Sequence, residues 1–151
     1  MAYFLKQADQ ADIPHFISLG QQMHAEGAFH FLPFDDAMAA QTARRYIEDD
    51  RSCAYLVMEE GRPIAMHLAS LTTYFFSPAT LAAGLVTYVV PEKRGGRAAI
   101  LMMRAFIAWS KQHGAQEAYI GVSVGISSER ADRFFKHLGF RHVGGNYKLR
   151  F

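Results

Sequence analysis

The chain has 151 residues, 50% hydrophobic and 20% charged, which fits one globular domain with its own core and excludes a disordered segment. Its formal net charge of +2 at pH 7 is too weak for general nucleic-acid binding, and a single cysteine, Cys53, excludes an intrachain disulfide and fits a reducing, cytoplasmic setting. No apolar run approaches the roughly 18 residues that span a bilayer, and Lys6, Asp9 and Asp12 interrupt the stretch a signal peptide would keep apolar.

Tyr3 to Ala8 reads as a short strand. Asp12 is placed to cap a helix with Pro14 in its first turn, and Ile13, Phe16, Ile17, Leu19 and Met23 follow at helical spacing up to a stop at Gly27. A second helix starts at Asp35 or Asp36 and carries Met38, Ala39, Thr42, Tyr46 and Ile47 on one stripe. Its early acids and its later Arg44 and Arg45 suit the helix dipole. Cys53–Met58 and Pro63–Thr73 are the arms of a hairpin, joined by the turn signal EEGR at 59–62. Leu85–Val90 is a third strand, rich in β-branched residues.

The period then changes. Ala98, Leu101, Met102, Ala105, Phe106 and Trp109 predict an apolar helix over 98–109, closed by Gly114. Ala118–Val122 is the next strand. Ser127 or Ser128 caps a helix bearing Ala131, Phe134, Phe135 and Leu138, with Gly139 as its C′ residue. The tail, 140–151, reads as one or two strands broken by Gly144 and Gly145. The order β-α-α-β-β-β-α-β-α-β predicts an α+β fold: a mixed, mostly antiparallel sheet flanked by helices on both faces, in a single domain over 1–151.

The chemistry concentrates in VVPEKRGGRAA, residues 89–99, where a strand meets a helix. A helix N-terminus carries unpaired N–H groups and about half a positive charge, and glycines before it let the backbone approach an anion closely. Lys93, Arg94 and Arg97 add charge beside that cradle. The pattern predicts a phosphate or pyrophosphate at 94–99 without naming the ligand. A Walker-type loop is absent, because no lysine followed by Ser or Thr closes the glycine run, and the dinucleotide spacing fails as well.

This run, continued by ILM, resembles the acyl-CoA pyrophosphate loop of the GNAT acetyltransferases, whose pattern is Arg/Gln-x-x-Gly-x-Gly/Ala after a strand ending in proline. ADRFFKHLGF at 131–140 is similar to the late helix of that family, which ends in Leu-Gly-Phe. The run from Pro91 is also similar to members encoded in phages and prophages. The resemblance implies that acyl-CoA, most simply acetyl-CoA, wedges into a V opened between the strand at 85–90 and the strand at 118–122. Val89 and Val90 would bond the pantetheine arm, and the N–H groups of Arg94, Gly95, Gly96, Arg97, Ala98 and Ala99 would hold the pyrophosphate.

The chain departs from the pattern in three places. The fourth loop position, usually glycine, is Arg97. Phe135 stands where the family often has a tyrosine that protonates the departing thiolate. Ser127 or Ser128 replaces an asparagine that often meets the donor; Ser128 is the candidate contact.

Acyl transfer to an amine needs a base for the ammonium proton and a polarised thioester carbonyl. Glu26, in HAEG at 24–27, is placed to bind or deprotonate an amine. Tyr147 is placed to supply the acid that Phe135 lacks. His24 and His30 lack metal-ligand spacing, so no metal is expected. His67 reads as a core or edge histidine, and Tyr74, Phe75 and Phe76 as an apolar wall by the acceptor entrance or as core. Acceptor specificity is expected in loops near 24–35 and 74–84.

The expected activity is N-acyl transfer to a small-molecule or protein amine, with no membrane partner, nucleic acid disfavoured, and a homodimer compatible with the sequence. The rival readings are a GNAT-fold module that binds CoA or protein without turnover, and nucleic-acid contact through Lys93, Arg94, Arg97 and Arg104, with Arg141 and Lys148 beside them.

Overall fold

The computed structural model describes residues 2–121 and 128–151. The elements are β1 (Tyr3–Gln7), α1 (Ile13–Glu26), α2 (Asp36–Glu48), β2 (Ser52–Glu59), β3 (Arg62–Tyr74), β4 (Ser77–Val89), α3 (Ala98–Gln112), β5 (Ala118–Tyr119) and α4 (Ser128–His137). They form one sheet in the order β1-β2-β3-β4-β5, antiparallel from β1 through β4, with β5 parallel to β4. The α+β expectation holds.

Unbroken burial explains why the sheet lies in the interior. Leu56, Val57 and Met58 of β2 and Ile64 through Ala69 of β3 are consecutively buried. Side chains alternate faces along a strand, so a consecutive buried run means that both faces are covered. α1 and α2 pack on β2 and β3, and α3 packs on β2, β3 and β4. Ala98, Met102 and Phe106 of α3 are wholly buried on the stripe that the helical spacing predicts, and Met103 beside that stripe is buried as well.

Local chemistry sets the element ends. The β2–β3 turn places Glu60 at φ +51° and Gly61 at φ +76°, both left-handed, as a two-residue hairpin turn demands. Asp35 caps α2 by accepting from the Met38 N–H at 3.0 Å. Asp12 occupies the cap position of α1, but its carboxylate turns back to the Asp9 N–H and Lys6 Nζ, each at 2.9 Å. Gly139, at φ +97°, ends α4, and the Phe140 N–H donates to the Phe135 carbonyl at 2.9 Å.

Two expectations fail. The stretch 74–84 is not a loop, because β4 begins at Ser77 and Tyr74 pairs directly with Ser77. Pro78 is the second residue of β4, and a proline near a strand's start need not donate to the ladder. Phe75 and Phe76 therefore sit at a hairpin tip, exposed, and are not core. The tail 140–151 forms no strand. A strand needs a neighbouring edge to pair with, and β5 contributes only Ala118 and Tyr119. Lys148 and Arg150 instead stand over the rings of Phe29 and Phe31 at 4.8 and 4.2 Å.

Candidate functional site

The end of β4 and the start of α3 face the point where β4 and β5 part. The parallel pairing covers Ala82↔Ala118 and Ala83↔Tyr119, with the Ala82 N–H donating to the Glu117 carbonyl at 2.9 Å. Among the described residues it stops there, while β4 runs on to Val89. Gly84 sits at the parting, where a Cβ would lie 2.7 Å from Ile120 Cδ1 and 3.3 Å from the Tyr119 carbonyl oxygen. The residue is glycine because the strands approach too closely for a side chain. Val122 and Ser127 lie outside the described residues, as does the side chain of Ser128.

Main-chain direction along β4 alternates. The Val90 N–H donates to the Ile64 carbonyl at 3.0 Å, so the polar groups of Val90 face β3 and those of Val89 face away from it. Of the two valines, only Val89 presents main-chain groups on the side of the parting, and Arg94 Nε donates to its carbonyl at 3.0 Å.

The junction loop forms a short 3-10 turn over Pro91–Lys93 and then enters α3. Gly95 lies at φ +82°, a conformation other residues resist, and a Cβ there would sit 2.5 Å from Arg130 Nη2. A Cβ on Gly96 would sit 3.2 Å from the Lys93 carbonyl oxygen. Arg97 adopts φ −83° and ψ −15°, in the ordinary right-handed region, so the missing family glycine imposes no strain here.

Of the loop's N–H groups, those of Arg94 and Gly96 already donate to the Pro91 and Lys93 carbonyls at 3.3 Å. The first α3 residue to donate to a backbone carbonyl is Leu101, to Arg97 at 3.0 Å. Among the described residues, the N–H groups of Gly95, Arg97, Ala98, Ala99 and Ile100 have no backbone acceptor. They converge at the positive end of a 15-residue helix, an arrangement suited to phosphate oxygens.

Glu26, the last residue of α1, meets this junction. Arg94 donates to it through both Nη1 and Nη2, the latter at 2.9 Å, and the Tyr88 hydroxyl donates to Glu26 Oε2 at 2.7 Å. The Arg94 guanidinium, with help from the Tyr88 hydroxyl, holds the Glu26 carboxyl below the usual carboxylate range. Burial and the hydrogen bond to Glu26 push the Tyr88 hydroxyl up. Glu26 is therefore a committed anion. Both its oxygens are engaged and its basicity is reduced, which suits positioning of Arg94 better than proton abstraction.

A match over residues 14–140 to the family described as Acetyltransferase (GNAT) family decides the affiliation. The chain belongs to the GNAT acetyltransferases. No protein of curated function matches its sequence significantly. Among solved structures, this GNAT chain is similar to the aminoglycoside acetyltransferase AAC(6')-Iy in complex with a bisubstrate analogue of CoA and acetylneamine. The TM-score is 0.79 at 16% identity, over 99% of this chain and 98% of that one. It is also similar to AAC(6')-Ih from Acinetobacter baumannii, with TM-score 0.76 and 16% identity over 99% and 97% of the two chains. A protein described as a transcriptional regulator from Bacillus halodurans gives TM-score 0.79 at 14% identity, over 99% and 100%. At such identities these likenesses establish the GNAT fold and not a shared substrate.

Tyr147 is exposed on the tail, and Phe135 packs against Phe134 and Phe140 with ring centroids 5.2 and 5.5 Å apart. His24 and His30 donate to the Leu32 and Gly27 carbonyls at 2.6 and 2.9 Å, fastening the α1–α2 connection. His67 is fully buried, with Nδ1 2.9 Å from Thr87 Oγ1. Burial pushes the Cys53 thiol up to about 12, which removes it as a nucleophile. Among the described residues, no group of three or more His, Cys, Asp or Glu could hold a metal ion, and no helix is long and apolar enough to cross a membrane.

Sequence reasoning missed two partners, Tyr88 and Arg130. Both lie far in sequence from what they touch. The only local hint was a tyrosine within an otherwise aliphatic strand end.

Proposed function

We propose that this chain transfers an acyl group, most simply acetyl from acetyl-CoA, to an amine by direct attack. The observation that carries the reading is the set of backbone N–H groups without backbone acceptors at Gly95 and from Arg97 to Ile100, together with the outward main chain of Val89. The first suits a pyrophosphate, the second an amide-bearing arm. The amine lone pair forms the N–C bond, the C–S bond breaks, and the thiolate leaves. The ammonium proton passes to water or a base, and the thiolate takes a proton from an acid.

Tyr147 remains the candidate acid, reaching the site only if the tail folds over it, since it stands exposed. Glu26 contributes by holding Arg94 in place. Ser128, at the start of α4, is a candidate donor contact. The acceptor is a small-molecule or protein amine, and aminoglycosides belong in any panel because solved relatives of similar fold act on them.

Binding of acetyl-CoA by calorimetry, followed by thiol release with a panel of amines, tests the reading. Saturable binding with acceptor-dependent thiol release is expected. Absence of any acetyl-CoA binding overturns it. Phe135, which has no proton to give, favours one rival: a module that binds CoA without turnover. Tight binding with no thiol release across the panel would establish that rival.

A further inference from the structure

Charged groups at the junction are paired with one another. Lys93 Nζ is 2.7 Å from Glu59 Oε1, Arg94 is held by Glu26, and Glu92 by Arg62. Among the described residues, two buried side-chain atoms have no hydrogen-bond partner, Glu59 Oε2 and His67 Nε2. The other Glu59 oxygen holds Lys93, which accounts for that carboxylate. His67 has no such account. It is wholly buried in β3, where an aliphatic side chain fills space without the cost of burying an imidazole.

The His67 ring is held on three sides. It packs on Phe106 of α3 with ring centroids 4.6 Å apart. Its Cε1 lies 3.4 Å from the place of a Cβ on Gly84, so the glycine at the parting of β4 and β5 also makes room for this ring. Its Nδ1 is 2.9 Å from Oγ1 of Thr87, the residue opposite it in the β3–β4 register. A proton on Nε2 is a buried donor without an acceptor, whereas a proton on Nδ1 has the threonine oxygen. That difference assigns the Nδ1–H tautomer. His67 then donates, Thr87 accepts, and the Thr87 hydroxyl proton is free to donate to something else.

Thr87 stands where such a donor can be used. Unlike His67, it is only half-buried. The register from Val86 to Val89 is unbroken, so the Thr87 main chain faces away from β3 as that of Val89 does. Both residues lie on the part of β4 beyond its pairing with β5. An acyl-bearing arm that leaves the junction loop past Val89 meets Thr87 next, two residues and about 7 Å nearer Gly84.

We propose that the Thr87 hydroxyl donates a hydrogen bond to the carbonyl oxygen of the acyl thioester, and that His67 is the positioning residue that aims it. The assignment rests on the acyl-CoA reading above and supplies the carbonyl polarisation that acyl transfer needs. As the amine nitrogen bonds to the carbonyl carbon, negative charge grows on the oxygen and the Thr87 hydrogen bond strengthens. When the C–S bond breaks, that charge leaves with sulfur. Thr87 and His67 keep their own protons throughout.

Infrared difference spectra of bound acetyl-CoA with an isotope-labelled thioester carbonyl read this hydrogen bond whether or not the chain turns over. The carbonyl band should lie lower in the unmodified chain than in Thr87→Val, and Thr87→Ser should restore it. CoA, which lacks the thioester, should bind all these variants alike. With an amine acceptor, Thr87→Val should lower kcat about 100-fold with little change in the donor KM, the scale of one lost donor to a developing oxyanion. His67→Leu should broaden the carbonyl band and lower kcat. His67→Asn, whose amide nitrogen can take the place of Nδ1, should recover part of both. The double variant Thr87→Val/His67→Leu should be no slower than Thr87→Val alone, because the histidine acts through the hydroxyl.

A carbonyl band that Thr87→Val leaves in place, or losses that add in the double variant, overturns the assignment while the donor reading stands. If the unmodified chain does not bind acetyl-CoA, the donor reading fails and the assignment falls with it.

Discussion

Glu26 and Arg94 lie 68 residues apart in sequence and join through both guanidinium Nη atoms, while Arg94 Nε holds the Val89 carbonyl. One side chain thus ties the last residue of α1 to the end of β4 and to the loop before α3. A carboxylate at a helix C-terminus is repelled by the dipole, so Glu26 needs this cation to sit there.

Replacing Glu26 with Gln should lower stability by about 1–2 kcal/mol at neutral pH. The folded protein holds Glu26 below its ordinary value of 4.5, so the contribution is complete above that pH and is lost as pH falls through the lowered value. Thermal melts from pH 7 down to pH 3 should show wild type and variant converging at the acid end. A gap that is constant with pH would contradict the pairing.

Gly95→Ala should cost about 1–2 kcal/mol from its left-handed φ and should also weaken acetyl-CoA, because the new Cβ displaces Arg130. Gly61→Ala is the companion variant. Gly61 has a similar φ of +76° with nothing within 4 Å of a Cβ. It should lose stability alone, and melts paired with calorimetry separate the two effects.

Gly84→Val should destabilise by about 1–3 kcal/mol, since its side chain would meet Ile120 and the Tyr119 carbonyl where β4 and β5 part. Forcing the strands apart should also raise the KM for the donor. Unchanged stability and KM would show that the strands do not meet closely at Gly84.

His67 is buried and neutral, with burial lowering its pKa to about 4 from 6.5. The unfolded chain binds the proton first, so stability from this site is complete above pH 6.5 and declines by roughly 3 kcal/mol as pH falls to 4. His67→Leu removes that slope. The difference in melting temperature between variant and wild type should shift in favour of the variant as pH falls.

Phe135→Tyr restores a hydroxyl at the position where the family often has one. Turnover should rise severalfold with little change in the KM for the donor, and thiol-release kinetics measure both. No gain would show that proton delivery does not limit the reaction, or that another group already supplies it.

The sequence was most legible where the cause of structure is local. The apolar stripe of α3 at helical spacing, the Glu60–Gly61 turn and the Asp35 cap each depend on residues within a turn or two of one another. The phosphate-suited corner at Arg94–Ala99 was visible for the same reason. It needs only glycine, a strand before it and a helix after it.

The strand at 77–84 has little local signature, because its small residues favour strand weakly and are held there by pairing with β3. The tail read as strand from composition, but strands form by pairing, and no edge is offered to it among the described residues.

Alone, the sequence determined the fold class, the family loop and the absence of a hydroxyl at Phe135. Only the tertiary structure decided what the charges of that loop do. Glu59, Glu26 and Arg62 come from other strands and helices, and Arg130 comes from α4. Whether a lysine or arginine is a ligand or a brace depends on which opposite charge stands within about 4 Å of it in space, and separation along the chain carries almost no information about that distance.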